Sequence, residues 1–121
     1  MTVESDFYTL LSGNAGVTAR VGARIYPDVL PEECAYPAIV FARTRTDSEP
    51  YLGLSGQSFG ADVDLSVGCW GNTRTEADAA ADAVDAALPG SEFRRIGRDA
   101  AADPETGLLA TVLTVTTFVT A

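Results

Sequence analysis

The sequence predicts an α+β fold, in which an antiparallel sheet of about four strands is covered on one face by an amphipathic helix and preceded by a short N-terminal helix. Three observations predict it: apolar and polar residues alternate over 59–69, a capped helical stretch covers 73–88, and two strand-like stretches end the chain. With 121 residues, 46% of them apolar, the chain can bury one core. Residues 1–121 are therefore expected to form a single domain.

The first expected element is a helix of two to three turns. Its apolar residues have the spacing of one helix face, and they are Val3, Phe7, Leu10 and Leu11. Gly13 and Asn14 then supply a stop. The pattern over 16–24 is ambiguous and allows a second short helical turn, after which three prolines within 27–37 predict an irregular, extended connection.

Two strands joined by a long loop follow. The first covers about 38–47, and because Arg43 and Arg45 are two residues apart we expect both on one face of the strand. The polar stretch 48–58 contains proline and glycine and predicts a long mobile loop. The second strand, over 59–69, places its apolar residues on one face and its aspartates and serine on the other, so one face meets the core.

A helix begins after this strand. Residues 73–76 form a capping box, in which the hydroxyl of Thr73 accepts from a free amide at the helix start and Glu76 accepts in return. Pro89 and Gly90 end the helix, and Trp70 is expected to pack beneath its start as core. Small side chains form a narrow stripe that allows close approach to the sheet: Ala77, Ala80, Ala81, Val84 and Leu88.

The last two strands are expected over 93–99 and 108–119. The stretch 100–107 between them includes Asp-Pro-Glu-Thr-Gly, which is a strong turn signal. The final strand is rich in threonine and valine, as a half-buried pleated surface favours.

Composition excludes several classes of function. All eight basic residues are arginines, and seventeen acidic residues give a net charge of −9, which argues against binding nucleic acid through its phosphates. No apolar run is long enough to span a bilayer, and the N-terminus lacks the basic start of a signal peptide, so a soluble, unexported protein is expected. In that compartment Cys34 and Cys69 are expected to be free thiols.

Catalysis is disfavoured because the chain contains no histidine, and hence no ordinary Ser-His or Cys-His pair. The stretch Gly53-Leu54-Ser55-Gly56 is superficially similar to a nucleophile turn, but no partner group accompanies it. Asp78, Asp82 and Asp85 share one helix face, where a solvated surface is favoured over a cation site because an open face does not surround an ion. We therefore expect no catalytic, cofactor-binding or metal-binding residues.

Seven charged residues are candidates for a subunit interface. Arg43 and Arg45 on one strand, with Asp62 and Asp64 on its expected neighbour, form either cross-strand ion pairs or a surface that meets another subunit. The only basic cluster either docks on an acidic patch of an identical neighbour or forms a solvated strand edge that deters aggregation. It consists of Arg94, Arg95 and Arg98.

The order of several segments resembles one protein family. The segments are Arg-Ile-Tyr-Pro at 24–27, Leu30-Pro31, Pro-Ala-Ile-Val at 37–40, the long loop, a strand ending in Trp70, and Thr-Arg-Thr-Glu-Ala at 73–77. Over about residues 3–120, the chain resembles the tail-completion, or tail-terminator, proteins of long-tailed, siphovirus-like bacteriophages and gene-transfer particles. The strongly alanine-rich second helix and the lack of lysine depart from the family without challenging the assignment.

The resemblance implies a non-enzymatic structural protein that forms a hexameric ring on the head-proximal end of the tail tube. It implies as partners the protein itself, the tail tube protein and the head-tail connector protein, with genomic DNA passing through without specific binding and with no membrane and no cofactor. It places the chain in the neck region of the virion, and in the host cytoplasm during assembly.

Three alternatives stay open. Within the same class, the chain is a head-tail connector or a tail tube protein. From a different class, it is a small ligand-binding or regulatory α+β domain, whose mark would be a closed, polar-lined cavity.

If the chain forms a ring, we expect neighbouring subunits to complete the edges of the sheet. We also expect the loop at 48–58 to become ordered only on docking.

Overall fold

The computed structural model describes residues 3–48 and 60–120, which form three helices and one five-stranded sheet. The elements are α1 (Val3–Ser12), α2 (Ala15–Val21), β1 (Ile25–Pro27), β2 (Ala38–Ser48), β3 (Gly60–Gly71), α3 (Arg74–Ala87), β4 (Arg94–Ala102) and β5 (Leu109–Thr120). The predicted long loop at 48–58 lies, apart from its first residue, outside the described residues.

The strands lie in the order β1-β2-β3-β5-β4. Strand β1 runs parallel to β2, and every other pair is antiparallel. Strands β3 and β4 therefore point in the same direction on either side of β5, with α3 crossing between them. The predicted α+β class with helices on one face is confirmed, but the sheet has five strands where about four were expected, and one pair is parallel.

The additional strand, β1, lies in the segment Arg-Ile-Tyr-Pro. Its backbone is tied to β2 where Ile39 N donates to Arg24 O at 2.9 Å and Asp28 N donates to Phe41 O at 2.8 Å. The Arg24 side chain also donates from Nε to Pro37 O at 2.9 Å. These contacts give the two motif segments a structural role, because they pin β1 to the start of β2.

Local capping positions two of the helices, and the sequence indicated the cap of α3 but not that of α2. The Asn14 side chain accepts from Val17 N at 3.1 Å and begins α2. At α3, Thr73 Oγ1 accepts from Glu76 N at 3.2 Å, while the Glu76 carboxylate accepts from Asn72 N at 3.0 Å. The predicted capping box is therefore confirmed, with the returning bond made one residue before the cap.

All three helices contribute to a single core on one face of the sheet. On that face alternate residues of β3, from Val63 to Cys69, are at most 2% exposed. The aromatic centre is Phe7, whose ring lies 5.3 Å from that of Phe41 and 5.1 Å from that of Phe93, both edge-to-face. The alanine stripe predicted for α3 is buried in this core, which confirms the close approach of helix and sheet.

Close approach is tightest at the end of β3. A Cβ atom added at Gly71 would lie 2.7 Å from Glu76 Cβ and 2.9 Å from Ala77 N. Because real Cβ atoms are not found so close to other atoms, a glycine is required there for α3 to begin directly against the strand.

No helix among the described residues covers the other face of the sheet, and Trp70 lies on that face, between its paired residues Ala38 and Ala110. Its indole Nε1 lies 3.0 Å from the point that a Cβ on Gly68 would occupy, so the ring folds along its own strand. The expectation that Trp70 packs beneath the start of α3 is therefore wrong. The strand alternation explains it, because Cys69 is the residue that points into the core.

Candidate functional site

The two arginines predicted to share a face of β2 are separated by a β-bulge. Arg43 is paired with Leu65 and Arg45 with Asp64, so β2 has one more residue than β3 over this interval. Since Leu65 and Asp64 alternate between faces, the two arginine positions lie on opposite faces, and the prediction of a shared face is wrong. A bulge has no signature in this sequence that periodicity could detect.

Arg43 forms an ion pair with the first helix. Its Nε lies 2.6 Å from Glu4 Oε1 and its Nη2 lies 3.2 Å from Glu4 Oε2, a two-pronged contact that joins β2 to α1. Arg45, whose side chain lies outside the described part of the structure, pairs through its backbone with Asp64. The predicted ion pair with Asp64 therefore stays a prediction. Asp62 and Asp64 are half-buried on the uncovered face.

Two arginines of the basic cluster bind the aspartates of α3. Arg98 Nη1 lies 2.9 Å from Asp82 Oδ1 and 3.0 Å from Asp85 Oδ2, and Arg95 Nε lies 2.8 Å from Asp85 Oδ1. Burial lowers the pKa of Arg98, but hydrogen bonds and charge attraction from the two aspartates outweigh it and raise the pKa. The aspartate face of α3 is thus turned toward β4, with an arginine among its carboxylates.

The third arginine of the cluster, Arg94, has a different environment. It is exposed and paired through its backbone with Thr116, a position on the uncovered face of the sheet. Among residues 3–48 and 60–120 no ion-pair partner is found for it. Of the three predicted docking arginines, Arg94 is therefore the one with its charge uncompensated at the described surface.

Sequence reasoning missed a polar network that attaches α3 to the hairpin of β4 and β5. Arg74 donates from Nη1 to Ala110 O at 2.6 Å and from Nη2 to Ala101 O at 3.2 Å. Nearby, Thr111 Oγ1 donates to Asp78 Oδ1 at 2.6 Å. An arginine in the first turn of a helix gives no sequence signal for such a role, because the carbonyls it binds are about 30 residues away along the chain.

Two open grooves lie at the borders of the sheet. The larger, which we name the α1–β1 groove, has a cavity volume of about 610 Å³ and is mostly apolar. Residues that line it include Ser5, Tyr8, Ala23, Ile25, Tyr26 and Phe41. The smaller, of about 530 Å³, lies between the end of α3 and the start of β4 and includes Ser91, Arg94 and Arg95. Neither groove is a closed, polar-lined cavity.

The chemistry available in the described residues is that of packing and charge. Burial raises the pKa of the Cys69 thiol to about 12, so at neutral pH the thiolate needed for nucleophilic attack is absent. Within the described ranges no group of three or more acidic, cysteine or histidine side chains is arranged to hold a metal ion. Nor does any helix there have the length and apolar character needed to cross a membrane.

Comparisons with known proteins identify the family of this chain. A solved structure with the description "Virion of native gene transfer agent (GTA) particle" has a chain that matches with a TM-score of 0.79 and 20% identity. The match covers 98% of this chain and 95% of that one, which shows a shared fold. No curated protein matches the sequence. The sequence model described as "Tail completion protein gp17" matches residues 5–120, almost the whole chain. The chain therefore belongs to the tail completion protein gp17 family and is a structural protein of the phage-type tail.

Proposed function

We propose that this chain is a non-enzymatic tail terminator, which caps the head-proximal end of the tail tube, stops its polymerisation and joins the tail to the head connector. The observation that carries the proposal is the family match over residues 5–120. The similarity in fold to a chain of a gene transfer agent virion supports it across nearly the whole length of both chains. A ring of six copies in the neck region of the virion is the assembly that we propose.

The charge of the chain suits a ring through which DNA passes. A protein with a net charge of −9 repels a polyanion, so the genome can move past it without being held. On the uncovered face of the sheet the described charged side chains include Asp62, Asp64 and Asp99 against a single arginine, Arg94. We propose that the tail tube protein and the head-tail connector protein bind this ring, and that DNA makes no specific contact with it.

The proposed terminator differs from its alternatives in where it binds. A tail tube protein would join the tube along its length, because tubes grow by repeated identical contacts. A ligand-binding domain would not bind the tube, and it would need a pocket that encloses most of its ligand. The two grooves of this chain open to the surface, which favours a docking role over enclosure of a small molecule.

The test is to image tubes assembled from the tail tube protein of the same particle after addition of the purified chain. We expect a ring at one end of each tube and no further growth from that end. Incorporation along the tube would favour the tail tube alternative, and binding only to the isolated head connector would favour the connector alternative. A chain that binds neither would contradict the proposed function and favour the ligand-binding class.

A further inference from the structure

The helix side of the molecule carries charges that compensate one another. All three aspartates of α3 form ion pairs with Arg98, and Glu4 of α1 is bound by Arg43. Most of the exposed arginines in the described residues belong to a helix or are bound to one: Arg20, Arg43, Arg95 and Arg98. The helix side therefore presents several guanidinium groups that a phosphate could reach.

The uncovered face of the sheet has a different balance of charge. The register of the strands places four aspartates and two arginines on it, which leaves an excess of negative charge. They are Asp47, Asp62, Asp64, Asp99, Arg45 and Arg94. In the part of the chain that the structure describes, neither Asp62 nor Asp99 has an ion-pair partner. The excess is therefore not compensated by the helices or by β4.

Two of these aspartates lie directly opposite each other. Asp47 of β2 pairs with Asp62 of β3. Like charges at opposite positions of an antiparallel pair destabilise it, so this pair lowers the stability of the sheet. A partner protein packed on this face would also bury unpaired carboxylates, at a further cost. A local cost of this kind is expected where the charge has a function, and where the face stays in water.

The middle of the uncovered face is smooth and firmly held. One row across the sheet consists of small residues only, namely Ala42, Ser66, Thr114 and Gly97. Trp70, the largest side chain here, folds along its own strand. The exposed Phe118 pairs with Asp62 at the end of the face, outside this middle region. Strands β3 and β5 are each paired on both sides, so this wall is rigid and has no long side chain across its centre.

We propose that the uncovered face lines the channel of the ring, where the carboxylates of six copies repel the DNA that passes. A channel lined by one sign of charge focuses the field of all the copies on whatever lies inside it. Charges on the outer side lie beyond the Debye length of about 8–10 Å from the DNA and are screened. The helix side, with its exposed arginines, then faces outward. This inference rests on the proposed function and specifies which face of the chain meets the genome.

Two double variants with the same change of charge test this orientation. The channel variant, Asp62→Arg with Thr114→Arg, adds two arginines to the uncovered face. The outer variant, Asp6→Arg with Thr9→Arg, adds two to α1 as the matched control. Because Asp62→Arg replaces a like-charged pair with an opposite-charged one, it should raise the urea midpoint of unfolding. Light scattering should give about 76 kDa for each ring of six 12.6 kDa chains.

Cosedimentation of the rings with one plasmid, either linearised or closed into a circle, locates the added arginines. A linear duplex can enter a ring from its end, whereas a closed circle reaches only the outside. We expect the wild-type ring and the outer variant to retain neither form. The channel variant should retain about tenfold more linear than closed plasmid at about 50 mM salt and release it at about 200 mM, because phosphate contacts weaken steeply with salt.

The outcomes separate the orientation from the function. If the rings form and the channel variant retains no plasmid, or retains both forms equally, the uncovered face does not line the channel while the proposed function stands. Retention of linear plasmid by the outer variant alone would place the helix side inside. If the folded wild-type chain stays single both alone and with tail tubes, the ring of the proposed function and this inference fail together.

Circular dichroism of each variant, compared with that of the wild type, distinguishes a loss of assembly from a loss of fold. A channel variant that folds but stays single would show that this face is a contact between subunits, which also overturns the inference. If the channel variant does not fold, Asp99→Arg with Thr114→Arg repeats the test at an exposed position of the same face.

Discussion

The two edges of the sheet are held in place by different forces. The β1 edge is three residues long, bonded through its backbone to β2 and covered by α1, with Ile25 4% exposed. The β4 edge is nine residues long and exposed along most of its length, and its arginines bind the carboxylates of α3. One edge is therefore fixed mainly by burial of apolar surface, and the other by backbone pairing with β5 together with polar contacts to α3.

This difference shows how one small sheet can present two unlike surfaces. Apolar burial fixes the β1 edge firmly, so the groove beside it has a defined shape before any partner arrives. The exposed ion pairs of β4 contribute little to stability, so this edge depends on its eight backbone pairs with β5 and on the hydrogen bond that Arg74 donates to Ala101 O.

The largest effect is expected in the core beside the β1 edge, at Phe41 of β2, which is paired with Pro27 of β1. Replacing Phe41 with alanine removes a ring that is 1% exposed and packs against Phe7, and should cost about 3–5 kcal/mol of unfolding free energy. Urea unfolding measures the loss. Truncation of the exposed Ile96 of β4 to alanine should change the unfolding free energy by less than about 0.5 kcal/mol. Equal losses at the two edges would contradict the comparison.

The next effect is expected where β4 is anchored through Arg74. Arg74→Ala leaves the carbonyls of Ala101 and Ala110 without their donor and should cost about 1.5–3 kcal/mol. Hydrogen exchange should quicken in β4 and not in β1. Arg74→Lys keeps the charge but loses the forked geometry, so it should restore only part of the stability. If exchange rises equally in both strands, Arg74 does not act as a local anchor.

The buried thiol of Cys69 should make the stability of the protein depend on alkaline pH. Burial raises the pKa of Cys69 to about 12, whereas an unfolded thiol ionises near pH 9. Below pH 9 the thiol is protonated in both states, and between pH 9 and 12 only the unfolded state loses the proton. The unfolding free energy should therefore fall as pH rises, by up to about 1.4 kcal/mol per pH unit from this group.

Thiol labelling of the native protein checks the same point. At pH 8, Cys34 should react quickly because it is partly exposed, while Cys69 should react only after unfolding. A Cys69→Ala variant should lose its part of the alkaline slope, after allowance for the cavity that it creates. Rapid labelling of Cys69 in the folded state would show that the core between β3 and α3 is open to solvent.

The smallest effect is expected at the ion pairs of β4. Arg98→Ala should cost less than about 1 kcal/mol, and the loss should shrink as salt is raised, because the Asp82 side chain is 69% exposed. Unfolding at two ionic strengths measures this. A cost as large as that of Phe41→Ala, or one that does not change with salt, would contradict the description of these contacts as weak, exposed ion pairs.

Sequence predicted the elements whose signals are local. The cap formed by Thr73 and Glu76 depends on residues within one helical turn, and the alternation in β3 depends on residues two apart, so both were recognisable without any tertiary contact. The alanine stripe of α3 likewise predicted close approach to the sheet. The requirement for Gly71 at that approach depends on a contact with α3, so no local signal indicates it.

The features that sequence missed depend on distant partners. Strand β1 has three residues, too few to show a period, and it exists because Ile25 and Pro27 pair with Ile39 and Phe41. The bulge between Arg43 and Arg45 follows from the register with β3, which no single strand encodes. The sequence likewise groups Arg94, Arg95 and Arg98 as one basic cluster, because it does not show which distant residues they contact. In the structure Arg95 and Arg98 bind aspartates of α3, and Arg94 does not.

The most direct test of the central claim is the length of tails in particles made without this protein. Deletion of its coding sequence from the producing genome, followed by electron microscopy, should show tails of irregular and excessive length that are not joined to filled heads. Supplying the wild-type chain from a second gene should restore uniform, joined tails. Tails of normal length, correctly joined to heads in its absence, would contradict the proposal that this chain is a tail terminator.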